Sequence, residues 1–346
     1  MSWYALTTLD DARRATTSLL LPVDIGRWLR LALIAFFVGG LGGGSGGGGG
    51  GQGTVNYSFD EPLPGFVDGV PSVDALPVRS LLPMVAVVLV VLALLGFGYL
   101  LVGSVLEFVF VDGVSRRSVR IRAPFREHLH LGLRLFAFRV LVGLLILALV
   151  AIPLAGAVLG GVGLSPALFL LALPVLLVVG LVALVVGVVL QLTTDLVVPT
   201  MLAEDRGVLD GWQRVYPLLR SEWEQTALYV LVRYALAIGA AIVVGLVVVL
   251  LALVVALPFV VVGGVLYVAL LSTGGLGTVG WFVLGVVGAL YGLSVVVVGL
   301  FVQVPVVTYF RYYALFVLGE FDPALDLVAS VRADVGDASD RTDATG

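Results

Sequence analysis

The chain has 346 residues, of which 60% are hydrophobic and only 12% are charged, with a formal net charge of −4. Soluble domains carry about 25% charged residues, so this composition excludes an ordinary soluble protein, and its low polarity also excludes a disordered chain. The apolar residues form long unbroken runs, whereas an outer-membrane barrel would alternate apolar and polar residues. The sequence therefore predicts an all-α, polytopic membrane protein.

Six stretches are apolar enough to cross a hydrocarbon core about 30 Å thick, which takes roughly 20 helical residues. We predict transmembrane spans at about 28–46, 81–111, 133–160, 166–202, 226–257 and 279–310. The first span depends on glycines to complete it, because its apolar part ends at Leu41. The apolar stretch of the fifth continues past Pro258 to about Leu271, so we expect a break or bend near that proline.

These spans form a single transmembrane domain over residues 1–330, followed by an acidic tail, 331–346, which we expect to be disordered and cytoplasmic. An external loop, 45–80, joins the first two spans. Twelve of the fifteen residues in Gly39–Gly53 are glycine, which is typical of a flexible tether. Asn56 begins an Asn-Tyr-Ser tripeptide in this loop and is a candidate glycosylation site.

The distribution of arginine predicts the orientation in the membrane. Lysine is absent, and eighteen of the nineteen arginines lie on one side of the six-span arrangement, with only Arg79 on the other. Positively charged residues accumulate in cytoplasmic loops. We therefore expect a multi-pass protein of the cell membrane with both termini in the cytoplasm.

The segments before spans one, three and five resemble one another, which suggests an internal repeat. Each combines an amphipathic stretch, a proline and an arginine-flanked span, and the residue six positions after the proline is Trp28, His130 or Trp223. We predict that each repeat is a helix in the cytoplasmic interface, ended by its proline, and then a helical hairpin.

The first fifty residues resemble the N-terminus of haloarchaeal polytopic membrane proteins of unknown function. The shared features are the ALDDA-type start at Leu9–Ala12, the Pro-x-Asp of Pro22 and Asp24, the Arg-Trp-Leu-Arg motif at Arg27–Arg30, and the glycine run. The absence of lysine and the excess of aspartate fit a halophilic origin. More distantly, the layout resembles the multispan domain of glycerophosphodiester phosphodiesterases, and neither resemblance implies a catalytic residue.

The sequence offers no convincing catalytic or metal site. The Gly43–Gly47 run matches Gly-x-Ser-x-Gly, but it lies in low-complexity glycine and no span contains a histidine to act as a base. His128 and His130 would point to different faces of a helix, and there is no cysteine. We expect no enzymatic activity, no cofactor and no metal, and the lack of a basic soluble domain argues against nucleic-acid binding.

Six polar residues lie inside the predicted spans near their cytoplasmic ends. They are Glu107, Asp195 and Gln303 in the even spans and Arg30, Arg139 and Arg233 in the odd spans. A charge is costly in lipid, so these side chains face other helices or water. Two interpretations stay open: a ring of ion pairs and hydrogen bonds that holds the helices together, or an entry vestibule for an anion, a headgroup or a proton.

Five arginines follow the second span and are candidate contacts for lipid headgroups: Arg116, Arg117, Arg120, Arg122 and Arg126. The leading hypothesis is a non-enzymatic integral membrane protein that organises lipid or partner proteins through its cytoplasmic interfacial helices. Its candidate partners are membrane lipids, anionic headgroups among them, and a second copy or another membrane protein. The alternative is a small transporter or channel with a polar vestibule near the cytoplasmic face, which the aliphatic middle of the spans disfavours.

Overall fold

The computed structural model describes residues 4–39, 78–159, 166–272 and 277–335. Within these ranges the chain forms helices and no strand. Lipid offers no hydrogen-bond partners to the backbone, so long Val- and Leu-rich stretches satisfy their own backbone groups as helices. The Gly43–Gly47 run, Asn56 and nearly all of the predicted external loop lie outside the described residues.

The helices in chain order are α1 (Tyr4–Leu20), α2 (Ile25–Val38), α3 (Val78–Ser115), α4 (Arg122–Glu127), α5 (Leu129–Leu159), α6 (Pro166–Leu192), α7 (Val198–Glu204), α8 (Val208–Ser221), α9 (Trp223–Ser272) and α10 (Thr278–Phe321). A π turn (Thr193–Val197) joins α6 to α7 without interruption. A short 3-10 turn (Pro323–Leu325) follows α10, and the described chain ends in a helical segment, 329–335.

Five of these helical stretches are long and apolar enough to cross a membrane: α3, α5, α6 with its continuation into α7, α9 and α10. The chain is thus a multi-pass membrane protein by the length and composition of its helices. The span predicted at 28–46 is not confirmed, because α2 has 14 residues and ends at Val38. At 1.5 Å per residue it is about 21 Å long, which is shorter than the hydrocarbon core.

Of the break or bend predicted near Pro258, the break is wrong, since α9 runs through this proline as one helix of 50 residues, and the bend stays a prediction. A break in lipid would expose several backbone polar groups to hydrocarbon, whereas a continuous helix loses only the hydrogen bond that the proline nitrogen cannot donate. The sixth predicted span, about 279–310 with an extension to Leu318 as the alternative, lies within α10, which continues to Phe321 as its last turns enter the protein core.

Helices precede the second and third predicted hairpins as expected, but proline does not end them. Pro217 lies inside α8, which ends at Ser221, and Pro124 lies inside the six-residue α4. Only α1 stops before its proline, at Leu20. The threefold repeat is not confirmed, because the described residues contain a complete helical hairpin in only two of the three units.

The helices pack closely at one end, which we call the packed end: the end of the bundle that carries Ser115 of α3, Leu129 of α5 and Phe321 of α10. Here α1 lies against α10, with the rings of Tyr4 and Phe321 edge-to-face at 6.4 Å. Side chains in the rest of the five long helices are mostly exposed in the single chain. The protein core is thus concentrated at the packed end, and the remaining apolar surface is left for lipid.

α1 is amphipathic and covers this core with its apolar face. Ala12 and Ala15 are fully buried, while Asp10 on the opposite face pairs with Arg13 at 2.9 Å and with Arg14 at 2.7 Å. The hydrogen bond from Arg13, together with the positive charge of Arg14, lowers the pKa of Asp10.

The predicted disordered tail does not begin at residue 331. Val328, Val331 and Val335 are buried and recur at helical spacing, so the segment 329–335 packs one apolar face onto the core. The prediction of disorder used the acidic composition of 331–346 as a whole, in which this short apolar stripe is not apparent. The residues after Val335 lie outside the described part of the chain.

Candidate functional site

Asp195 lies in the π turn, among three hydrogen-bond donors. A π turn adds a residue to the helical path and often occurs at functional sites. The side chain of Asp195 is about 5% exposed, and its Oδ2 accepts hydrogen bonds from Tyr229 Oη at 2.8 Å, from Arg233 Nε at 3.3 Å and from the Gln191 amide. Helices α6 and α9 are thereby joined through one carboxylate.

Glu107 of α3 is shared by two arginines. Its carboxylate accepts from Arg139 of α5 at 3.2 Å and from Arg311 of α10. Arg139 also donates to Thr194 Oγ1 at 3.0 Å, and Arg311 donates to the Thr194 carbonyl at 2.9 Å. Because Thr194 precedes Asp195 in the chain, the two carboxylates belong to one network.

We call this network the buried charge cluster. Its members are Glu107, Arg139, Gln191, Thr194, Asp195, Tyr229, Arg233 and Arg311. Two aromatic rings cover its cations: the guanidinium of Arg233 lies 3.7 Å from the ring centre of Phe310, and that of Arg311 lies 5.4 Å from that of Phe110. Cation–π contacts of this kind strengthen when water is excluded.

Three guanidiniums and two carboxylates give the cluster a formal charge of +1. In the described ranges, the buried side-chain polar atoms that lack a hydrogen bond belong to residues outside the cluster. Its arginines, on α5, α9 and α10, reach into α3 and the π turn. This arrangement can hold five helical elements at fixed height and rotation, which is what buried, mutually satisfied polar groups do between membrane helices.

The structure brings together four of the six polar residues that the sequence singled out: Glu107, Arg139, Asp195 and Arg233. Arg30 instead donates to the Val119 carbonyl at 3.1 Å, and the Gln303 amide lies beside Gly39. Arg311 is central to the cluster, whereas the sequence alone indicates only that it lies on the cytoplasmic side. The available signal was the unbroken apolar and aromatic stretch Tyr312–Leu318 that follows Arg311.

Helix α8 connects the cluster to the surface of the packed end. Trp212 Nε1 donates to Thr193 Oγ1 at 3.1 Å, which ties α8 to the π turn. Arg214 pairs with Asp322 at 2.6 Å and with Glu204 at 3.5 Å. One helix thus contacts both the end of α7 and the end of α10.

The second candidate site is the arginine segment, residues 116–126, between α3 and α5. Two of its five arginines have acidic partners, since Arg116 pairs with Asp112 at 2.7 Å and Arg117 with Asp334 at 2.9 Å. The other three are exposed and form no ion pair with any described residue: Arg120, Arg122 and Arg126. Leu129 and Leu133 follow them at the start of α5 and are also exposed, so cations and apolar side chains lie side by side.

The two histidines do not converge on a metal. His128 is buried, whereas His130 is exposed and its Nε2 lies 2.8 Å from Asp205 Oδ1. Across the described ranges, no three His, Asp or Glu side chains are grouped closely enough to hold a metal ion.

A family model, described as a family of unknown function, matches residues 3–328 and so covers nearly the whole chain. No curated protein and no solved structure matches the sequence. The resemblances to haloarchaeal membrane proteins and to the glycerophosphodiester phosphodiesterase domain stay predictions.

Proposed function

Since the chain belongs to DUF7544, a family of unknown function, we propose from its own geometry that it is a non-enzymatic protein that gathers anionic lipid headgroups at the cytoplasmic face of the cell membrane. The observation that carries the proposal is the arginine segment. Its exposed arginines lack acidic partners among the described residues and lie beside exposed leucines at the start of a long apolar helix.

Arginine suits phosphate better than a simple positive charge would. Anionic lipid at a surface attracts each basic residue by about 1 kcal/mol at ordinary ionic strength. At molar salt the screening length shrinks to about 3 Å, so only close contacts survive. The guanidinium fork donates two parallel hydrogen bonds to phosphate, which lysine cannot do.

The orientation follows from the same residues. Eighteen of the nineteen arginines belong, by sequence, to the side that carries the arginine segment, which favours a cytoplasmic location for the packed end. The N-terminal helix α1 lies against the end of α10, while the first residues of α3 lie at the far end of a helix of 38 residues. We therefore infer that the chain crosses the membrane a sixth time before α3, at the span predicted at about 28–46, with α2 in that crossing.

A transporter or channel is the second candidate. The formal charge of +1 on the buried charge cluster and the π turn that carries Asp195 favour it. Against it, the ions of the cluster are paired with one another. In addition, the sequence of α9 from Ala235 to Leu266 contains only apolar residues, glycine and Pro258, and the helix is continuous through that proline. Transporter sites usually require polar groups or broken helices near the middle of the membrane.

The test is the lipid that the purified full chain retains. We expect native mass spectrometry to show a preference for phosphatidylglycerol over phosphatidylcholine, including at molar salt. The variant R120Q/R122Q/R126Q should lose this preference by about tenfold or more at low salt. The variant R120K/R122K/R126K should bind like the native chain at low salt and more weakly at high salt, because the charge remains but the fork is lost.

The matched control is R13Q/R14Q/R220Q, which removes the same charge from α1 and α8. It should keep the preference, since none of its residues belongs to the arginine segment. If the control and R120Q/R122Q/R126Q retain equal amounts of phosphatidylglycerol, the arginine segment has no specific role in lipid binding.

A further inference from the structure

Helix α2 is fixed against its neighbours near both of its ends. At its start, Trp28 Nε1 donates to the Leu20 carbonyl at 3.3 Å, which ties α2 to the end of α1. Towards its end, the Tyr99 hydroxyl of α3 donates to the Phe36 carbonyl. Arg30 lies between these two contacts, so its position relative to α3 and to the connection that follows α3 is defined.

Arg30 is an exposed cation that contacts the arginine segment. Its Nη1 donates to the Val119 carbonyl at 3.1 Å, and it forms no ion pair with any described residue. The next residue, Arg120, is also exposed and has no acidic partner in the described ranges. The path from the Val119 oxygen through the peptide bond to the Arg120 Cα is about 4 Å, so Arg30 Nη1 lies within about 7 Å of that Cα. Two unpaired guanidiniums can therefore reach one anion.

The depth of Arg30 in the inferred first crossing suits a lipid phosphate. Tryptophan at a membrane boundary lies at the level of the headgroups. Arg30 is two residues after Trp28 and so lies about 3 Å further along the axis of α2. A long arginine side chain near the end of a membrane helix extends towards the headgroups, and the contact with Val119 shows that the Arg30 guanidinium points to the connection after α3.

An exposed apolar stripe adjoins Arg30 on the same helix. Ile25, Leu29 and Leu33 are spaced four residues apart, so they share one face of α2, and all three are exposed. Leu33 follows Arg30 by three residues, a spacing at which helical side chains are neighbours. A phosphate that carries a hydrocarbon chain matches this combination of cations and apolar surface, whereas free phosphate would leave the apolar stripe without a contact.

We propose that Arg30 and Arg120 together bind the phosphate group of one anionic lipid, whose acyl chain lies along Ile25, Leu29 and Leu33. The inference rests on the lipid site proposed above and extends it to a helix outside the arginine segment. Arg30 uses one N–H group for the Val119 carbonyl, and its remaining N–H groups donate to the phosphate. The lipid then bridges α2 to the connection after α3, so its binding stabilises the folded chain.

The first experiment titrates phosphatidylglycerol into phosphatidylcholine micelles of the full chain and counts bound lipid by native mass spectrometry. R30Q should need about three- to tenfold more phosphatidylglycerol for half-saturation, because one arginine–phosphate contact is lost. The matched control is R220Q, which removes an exposed arginine of α8 that forms no ion pair with any described residue, and it should titrate like the native chain. Equal titrations of R30Q and R220Q would overturn the proposal.

The number of lipids lost tests whether the two arginines bind the same phosphate. R30Q, R120Q and R30Q/R120Q should each lose a single tightly bound phosphatidylglycerol. If the double variant loses two, the two arginines bind separate lipids and the shared site is wrong.

Thermal unfolding separates lipid binding from the hydrogen bond between Arg30 and Val119. R30Q also loses that hydrogen bond, so the informative quantity is the rise in unfolding midpoint that phosphatidylglycerol produces in each variant. The rise should be smaller in R30Q than in R220Q. R30K keeps the charge but not the fork, so it should show the native rise at low salt and a smaller one at molar salt.

Two results would contradict the proposal in different ways. If inorganic phosphate raises the midpoint as much as phosphatidylglycerol does, the ligand is not a lipid. If R30Q retains phosphatidylglycerol as the native chain does while R120Q/R122Q/R126Q loses it, the shared site is wrong, although the arginine segment still binds lipid. A native titration of R120Q/R122Q/R126Q would instead show that the proposed function itself is wrong.

Discussion

Asp195 loses almost all contact with water and receives three hydrogen-bond donors in its place. A buried ion pair contributes little compared with a well-packed apolar pair, because both ions are desolvated. Removal of one partner is different, since the other charge stays buried without compensation. The buried charge cluster should therefore show its importance when it is broken at one residue.

Asp195→Asn should destabilise the protein by about 3–5 kcal/mol, because the Arg233 guanidinium keeps its burial but loses its counter-ion. The measurement is thermal or denaturant unfolding of the detergent-purified chain, with folding yield from gel filtration. The matched control is D205N, since Asp205 is an exposed residue with φ 52°, a conformation that asparagine tolerates.

A second variant separates charge imbalance from lost contacts. D195L/R233M removes both ions and should be more stable than Asp195→Asn. A normal yield and unfolding midpoint for Asp195→Asn would contradict a ring of ion pairs that holds the helices together and would favour the vestibule interpretation.

The two arginines that share Glu107 should not be equally important. The Arg311 side chain is 4% exposed and that of Arg139 is 21% exposed. Arg311 also donates to a backbone carbonyl and lies over Phe110. We expect R311M to lower the unfolding free energy by about 2 kcal/mol more than R139M, because solvent weakens the interactions of the partly exposed ion. Equal losses of unfolding free energy would show that burial does not determine which of the two arginines contributes more to stability.

At the scale of helices, the contact between α3 and α5 depends on a small residue. A Cβ atom added to Gly132 would lie 2.5 Å from Val105 Cγ2 and 2.7 Å from Val105 Cα. The second contact is with backbone, so rotation of a side chain cannot relieve it. Small residues allow membrane helices to approach closely in this way.

Gly132→Ala should therefore destabilise the protein by about 1–3 kcal/mol, as overpacking does. Gly143→Ala on the same helix is the control, because nothing lies within 4 Å of the added Cβ. Unfolding midpoints of the two variants, measured in the same detergent, give the comparison. Similar midpoints would mean that α3 and α5 do not pack at this distance.

For the whole molecule, the inferred sixth crossing makes a topological prediction. Reporter fusions at Ser58, Ser165 and Thr273 should read external, and fusions at Ser118, Gly207 and Thr345 should read cytoplasmic. The physical reason is the 18-to-1 distribution of arginine. An external result at Gly207 would overturn the six-span arrangement, and an external reading of a reporter placed before α1, with Ser58 also external, would leave the five long helices as the only spans.

Sequence alone predicted the all-helical membrane class, which is confirmed by five helices long and apolar enough to span a membrane. Hydropathy can be calculated from a local window of sequence. A long apolar stretch in lipid forms a helix, because its backbone groups have no other hydrogen-bond partners there. The same reasoning failed at Pro258, because a rule drawn from soluble helices overestimated what one proline does where water is absent.

Only the tertiary structure decided which polar residues meet. The pairing of Glu107 with Arg311, and of Asp195 with Arg233, depends on the rotation and height of each helix relative to its neighbours. No window of sequence contains that information, since these partners are 204 and 38 residues apart. The same holds for Asp334, whose carboxylate reaches Arg117 only because three valines bury one face of a segment whose composition is otherwise that of a solvated tail.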